Sequence, residues 1–221
     1  MSLCKLQRPL MLALMLAGLS GSVFAVDGII LIDQNRALAG GVTPGDLPGF
    51  PVTITQPGSY RLASPLNVPT GQNGIEIASP GVTLDLNGFG ITTPDVTTFP
   101  PFFFGIRYTG SATPRFLVIR NGNVNGFTIP IQVINPTGLK CQYCSFIDLT
   151  VRVPVGSSSF DLGNYTRIDN YTGFNSDVNA LCPSVIVNSV ARSISVGFAF
   201  PGDPNPASQG ACTFVHNSVT F

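Results

Sequence analysis

The sequence predicts an all-β protein of short strands stacked as a repeating array, and three observations carry that prediction. Val, Ile, Thr and Phe are frequent, while 24 Gly and 19 Pro across the full chain punctuate it and disfavour helices throughout the portion that follows the leader. In GVTLDLNG from Gly81, Val82, Leu84 and Leu86 alternate with Thr83, Asp85 and Asn87, the period of a half-buried strand. The same phrase, an apolar strand followed by Asn with Gly or Ser, then recurs to Phe221.

The chain begins with a targeting segment. Lys5 and Arg8 precede the apolar run Leu10 to Leu19, and the small-residue site Val23-Phe24-Ala25 closes it. The run is too short to span a bilayer, so residues 1–25 read as a secretory signal cleaved near Ala25. The expected location is secreted, periplasmic or at the cell surface, with no transmembrane segment. Loss of Lys5 and Arg8 from 11 basic residues leaves nine against 11 acidic ones. A weakly acidic chain offers no electrostatic attraction to nucleic acid or anionic membrane. The remaining length suits one core.

The repeat is explicit from residue 81 onward. Its copies are GVTLDLNGFGI from Gly81, RFLVIRNGNVNGF from Arg115, CQYCSFIDLTVRV from Cys141, NYTRIDNYTGF from Asn164, PSVIVNSVARSISV from Pro183 and CTFVHNSVTF from Cys212. With Asn87, Asn121, Ser145, Asn170, Asn188 and Asn217 taken as equivalent, the steps are 34, 24, 25, 18 and 29 residues, all but the 18-residue step inside the roughly 20–50-residue range of stacked arrays. A second short strand precedes several copies: GIEI at Gly74, GIRY at Gly105, PIQV at Pro130 and SFDL at Ser159. Asn tolerates left-handed backbone angles and Gly adopts them freely, which suits the turn between two strands of one pass. An Asn turned inward there would hydrogen-bond to its counterparts above and below. Register follows from charge: making Leu117, Ile119 and Asn121 inward keeps Arg120 in solvent.

Cys4 leaves with the signal, and Cys141, Cys144, Cys182 and Cys212 remain in an oxidising compartment. Cys182 and Cys212 hold similar places in neighbouring copies, and adjacent strands lie about 4.8 Å apart, so a Cys182–Cys212 staple is expected. Cys141 and Cys144 form C-x-x-C with no following helix and no second C-x-x-C. A local bridge or two buried thiols is the expectation there, rather than redox chemistry or zinc.

QPGSYRLASPLNV from Gln56, GIEIASPGVTLDLNGFGI from Gly74 and VIRNGNVNGF from Val118 together resemble bacterial secreted right-handed parallel β-helix repeat proteins of the pectin-lyase-like superfamily. The preceding GGVTPGDLPGFPVTITQPGSY, from Gly40, is similar to the N-terminal segment of many uncharacterised members. The resemblance implies a single-stranded right-handed parallel β-helix, or β-solenoid, with residues 26–59 as an N-terminal segment and cap and 60–221 as the helix. It implies no activity, since the superfamily holds lyases, hydrolases and surface proteins.

Catalytic candidates are few. Calcium-dependent lyases of that superfamily need clustered acids, and here the acids are scattered, so no metal and no cofactor is expected except calcium under a lyase reading. Asp161, Asp169 and Asp177, with Arg167 or Arg152 beside them, form the one late constellation that loops could bring together. Arg167-Ile168-Asp169 matches only two residues of the Arg-Ile-Lys segment of polygalacturonases. Pairs such as Glu76 with Asp85, or Asp148 with Asp169, are the remaining carboxylate combinations for sugar hydrolysis. The lone His216 has no nucleophile beside it and reads as structural or exposed.

Binding candidates come from the parts that do not repeat. FPPFFFGIRY, from Phe99, places Phe102, Phe103, Phe104 and Tyr108 in a run that either forms an apolar platform or folds over the stack. Tyr108, Tyr143, Tyr165 and Tyr171 are the residues available for stacking on sugars. The leading expectation is a non-catalytic surface or binding module for a carbohydrate or protein partner outside the cytoplasm. A polysaccharide lyase or glycosidase is the alternative, and self-association through the strand-like C-terminal copy is a third.

Overall fold

The computed structural model describes residues 28–94, 101–154, 158–162, 165–174, 176–180, 184–192, 198–199 and 213–220. Residues 1–25, expected to be a signal, and Cys182 and Cys212 of the expected staple lie outside them. The described chain is all-β, with strands paired in parallel.

The long sheet contains 12 strands. Its main path runs through β1 (Ile29–Ile32), β3 (Gly58–Leu62), β6 (Val82–Asp85), β9 (Val118–Asn125), β11 (Ser145–Arg152), β13 (Arg167–Phe174), β15 (Val185–Val187) and β18 (Thr213–Val215). Shorter strands β4 (Leu66–Asn67), β7 (Gly90–Thr92), β16 (Val190–Arg192) and β19 (Ser218–Thr220) join it beyond the bend. A second sheet orders β2 (Val52–Ile54), β5 (Ile75–Ile77), β8 (Phe104–Tyr108) and β10 (Ile129–Gln132). A third holds β12 (Ser158–Leu162), β14 (Ser176–Ala180) and β17 (Phe198–Ala199). From β5 to β6 and β7, then β8 to β9, then β10 to β11, the chain leaves one sheet, visits the other and returns one place further along.

Alternation explains what each face does. Tyr60, Leu84, Ile119, Phe146, Ile168 and Ile186 occupy one register column of the long sheet, and all are buried. The neighbouring outward column carries Arg61, Asp85 and Arg120. Arg120 is exposed and Leu117 is buried, as the charge argument requires, but Asn121 is exposed rather than inward. The second sheet buries Val52, Ile54, Ile75, Ile77, Ile106, Tyr108 and Ile131, and these join one core with the long sheet.

The bends confirm the left-handed turn and correct its membership. Positive φ occurs at Asn87, Asn121, Asp148, Asn170, Asn188 and His216. Pairing aligns Asp148 with Asn121 and Asn170, so Asp148, not Ser145, is the bend residue of its copy; in the last copy it is His216, not Asn217. Asp and His share with Asn the tolerance of this region, which a search for Asn alone overlooks. Three bend side chains bond laterally to carboxylates, Asn121 donating to Asp85 at 3.4 Å, Asn170 to Asp148 at 2.7 Å and Asn188 to Asp169 at 3.1 Å, while Asn87 donates to the Leu62 carbonyl at 3.1 Å.

Against the expectation of no helix, α1 spans Gln34–Ala39. Asp33 accepts from the Arg36 amide at 2.8 Å and Gly40, with φ 75°, ends the segment, so local capping outweighs composition. Among the described residues no helix is long and apolar enough to cross a membrane. Cys141 and Cys144 form a disulfide and are both buried.

Candidate functional site

A cleft of about 450 Å³ opens on the outer face of the second sheet, lined by Glu76, Arg107, Tyr108, Thr109, Gln132, Ile134, Asn135 and Pro136. Its floor follows directly from strand register. Thr53 pairs with Glu76, Glu76 with Arg107, and Arg107 with Gln132, so four outward positions form one polar row across β2, β5, β8 and β10. The flanking inward positions anchor that row in the core. In sequence the row is the third residue of GIEI, GIRY and PIQV, a signal visible only when those strands are aligned with one another.

Two groups of the row are held. Asn73 donates to Glu76 Oε1 at 2.9 Å, while its own Oδ1 accepts from the Phe104 amide at 3.0 Å. The Arg107 guanidinium lies 4.5 Å from the centre of the Phe104 ring, a cation–π contact that fixes its plane. Its Nε is buried and has no hydrogen-bond acceptor, and the buried Tyr108 hydroxyl also lacks a partner. Burial pushes the Tyr108 phenol above its ordinary value.

The cleft wall is an excursion from Ile134 to Lys140, closed by an antiparallel bridge between those two residues. Asn135 organises it. Its Oδ1 accepts from the Thr137 amide, the Thr137 hydroxyl and the Leu139 amide, and its Nδ2 donates to the Ser111 carbonyl at 3.1 Å. The Cys141–Cys144 disulfide follows immediately, so the wall stands on a cross-linked base.

The Phe-rich run is divided by this geometry. Phe104 and Tyr108 are buried and support the cleft, Phe103 packs partly against the core, and Phe102 is exposed. Among the proposed catalytic residues, Arg167 and Asp169 are joined by an ion pair on β13. The Arg167 hydrogen bond, aided by Asn188, holds Asp169 below its ordinary value despite partial desolvation. Asp161 and Asp177 lie on β12 and β14 of the third sheet, where Asp161 is opposite Asn179 and Asp177 opposite Ser159. Asp85 belongs to the long sheet and Glu76 to the second. Among the described residues no three His, Cys, Asp or Glu side chains are grouped to hold a metal.

Chemically, the cleft offers planar donors and acceptors from Glu76, Arg107 and Gln132 beside apolar contacts from Ile134 and Pro136. Among the described residues that line it, Glu76 is the one carboxylate. Comparison of the chain with protein-family models, with curated proteins and with solved structures found no match.

Proposed function

We propose that this chain is an exported, right-handed parallel β-helix of the kind its sequence resembles, serving as a non-catalytic module that binds carbohydrate in the cleft on its second sheet. The observation that carries the reading is the polar row Glu76, Arg107 and Gln132, set by strand pairing over a buried floor, with Glu76 held by Asn73 and Arg107 by the Phe104 ring. Vicinal hydroxyls donate and accept at once, and a held carboxylate and guanidinium beside an amide meet them pairwise at reduced ordering cost. Ile134 and Pro136 suit the C–H face of a sugar ring. A protein loop would need a larger buried area than a cleft of this size supplies.

The hydrolytic alternative needs two carboxyl groups about 5 to 9.5 Å apart across a scissile bond. Among the described residues lining its cleft Glu76 has no second acid beside it, which favours binding over turnover.

Calorimetric titration of the exported chain with a panel of neutral and acidic oligosaccharides tests this. At least one should bind, and Arg107→Met should weaken it by roughly tenfold, the loss of one charge-assisted contact. Saturating panels with no heat, or affinity unchanged in Arg107→Met, would sink the reading. Release of shortened or unsaturated products from the same sugars would replace it with the enzymatic one.

A further inference from the structure

A second row of left-handed residues lies where the chain enters the long sheet: Gly81, Phe116, Tyr143 and Tyr165. The last three hold the same register position on successive strands. Bulky residues rarely adopt positive φ, and here it turns three aromatic side chains outward. Strand spacing of about 4.8 Å then sets their rings face to face. Phe116 and Tyr143 have centroids 5.5 Å apart with planes at 20°, and Tyr143 and Tyr165 are 4.6 Å apart at 8°. Ring faces covered in this way are closed to a sugar, which removes Tyr143 from the expected stacking set.

The remaining tyrosines sharpen the contrast. The chain has five tyrosines and no Trp. Tyr60, Tyr108 and Tyr171 are at most 2% exposed, whereas Tyr143 and Tyr165 are 46% and 52% exposed. The two phenols open to solvent are therefore the two stacked on each other.

We propose that Tyr143 and Tyr165 are an oxidative cross-linking site, coupled to dityrosine by hydrogen peroxide acting through a haem peroxidase. Each phenol loses one electron and one proton to give a phenoxyl radical whose spin spreads to the ortho carbons. A bond forms between one ortho carbon of each ring, and the hydrogen on each of those carbons moves to its phenolic oxygen, restoring aromaticity. Two hydrogen atoms leave the protein, and one peroxide becomes two waters. Holding the partners in contact makes the coupling effectively unimolecular. Phe116 covers the other face of Tyr143 and, lacking a phenol, directs coupling to Tyr165. The product would tie β11 to β13 through the residues that lead into them.

The test is oxidation of the dilute full chain with a haem peroxidase and peroxide, followed by sizing, intact mass and peptide mapping. The expected result is a monomer lighter by two hydrogens, with biphenol fluorescence and one cross-linked peptide pair containing Tyr143 and Tyr165. Tyr143→Phe and Tyr165→Phe, which keep the stacked rings, should each lower monomer fluorescence by roughly tenfold or more, because the held partner is gone. The same oxidation in denaturant should scatter the cross-links over other tyrosines. The proposal is overturned by a cross-link found only in dimers, by mapping to a buried tyrosine, by undiminished fluorescence in either Phe variant, or by identical patterns from native and denatured chain.

Discussion

Replacing Asp85 with Asn should destabilise the protein by an amount that depends on pH in a specific way. Asp85 is 8% exposed and sits between Arg61 and Arg120 on adjacent strands. Its carboxylate accepts from the Asn87 amide at 2.8 Å, Arg120 Nη2 at 3.1 Å and Asn121 Nδ2 at 3.4 Å, with Arg61 Nε at 3.8 Å. Burial alone would push its pKa up, but the Asn87 amide, the Arg120 charge and the two side-chain hydrogen bonds together hold it below the ordinary value of 3.8. Asn keeps the shape and an acceptor for Asn87, and loses the charge. A charge-assisted hydrogen bond contributes about 1.5–3 kcal/mol; Arg120 is exposed enough to regain water, and the buried Arg61 Nε makes no hydrogen bond that would be lost, so we expect a loss of about 1–2 kcal/mol at pH 7. That corresponds to a Tm lower by roughly 2–8 °C in a chain of this size.

Urea denaturation across pH supplies the control. A carboxylate with a depressed folded pKa contributes its full stability above the unfolded value near 3.9, and that contribution is lost as pH falls through the folded value. The deficit of Asp85→Asn should therefore shrink below about pH 4. A deficit that stays constant between pH 7 and pH 3, or a variant as stable as the parent at pH 7, would show that the Arg–Asp–Arg row does not act through charge.

Two further predictions probe the backbone and the cleft floor. Gly126 has φ 89° and a Cβ there would strike the Thr93 carbonyl, whereas Gly138, with φ 87°, has open space. Gly126→Ala should cost about 3 kcal/mol and Gly138→Ala about 1 kcal/mol by chemical denaturation; equal costs would discount the clash. Tyr108→Phe removes a buried hydroxyl without a partner and should stabilise the free protein by about 1 kcal/mol at neutral pH. Because burial penalises the phenolate and raises the Tyr108 pKa, ionisation costs the fold nothing below the unfolded value near 10, and stability falls as pH rises beyond it toward the folded value, so Tyr108→Phe should resist alkaline unfolding better than the parent. Matching alkaline profiles for the two proteins would contradict this.

Strand existence, and the register of Leu84 with Ile119, were legible because the core is built from strict alternation and a one-residue slip would bury Arg120; the Cys141 copy was misaligned, since Ser145 was matched to Asn121 whereas it pairs with Val118 and Phe146 with Ile119. The bends were legible where Asn marks them and hidden where Asp148 and His216 do the same work. The inward orientation expected of the bend Asn residues failed because a residue at a bend can reach a carboxylate on the next strand without entering an apolar core. The cleft was hidden for a different reason. Glu76, Arg107 and Gln132 are tens of residues apart, each is the ordinary outward residue of its own strand, and only the loop lengths between copies bring them into one row.

The order of the sheets has a consequence for how this molecule tolerates change. Each strand of the long sheet pairs with the passes immediately before and after it, so distant passes influence one another only through intermediates. The wall from Ile134 to Lys140 leaves β10 and returns before β11, with its base fixed at both ends. Its length can therefore vary without altering the pairing of β9 with β11, at an entropic cost that grows only logarithmically. The scaffold is a ruler whose divisions are set by backbone pairing, and its excursions are independent of one another, so new surface chemistry can be acquired at one division while the rest keep their spacing.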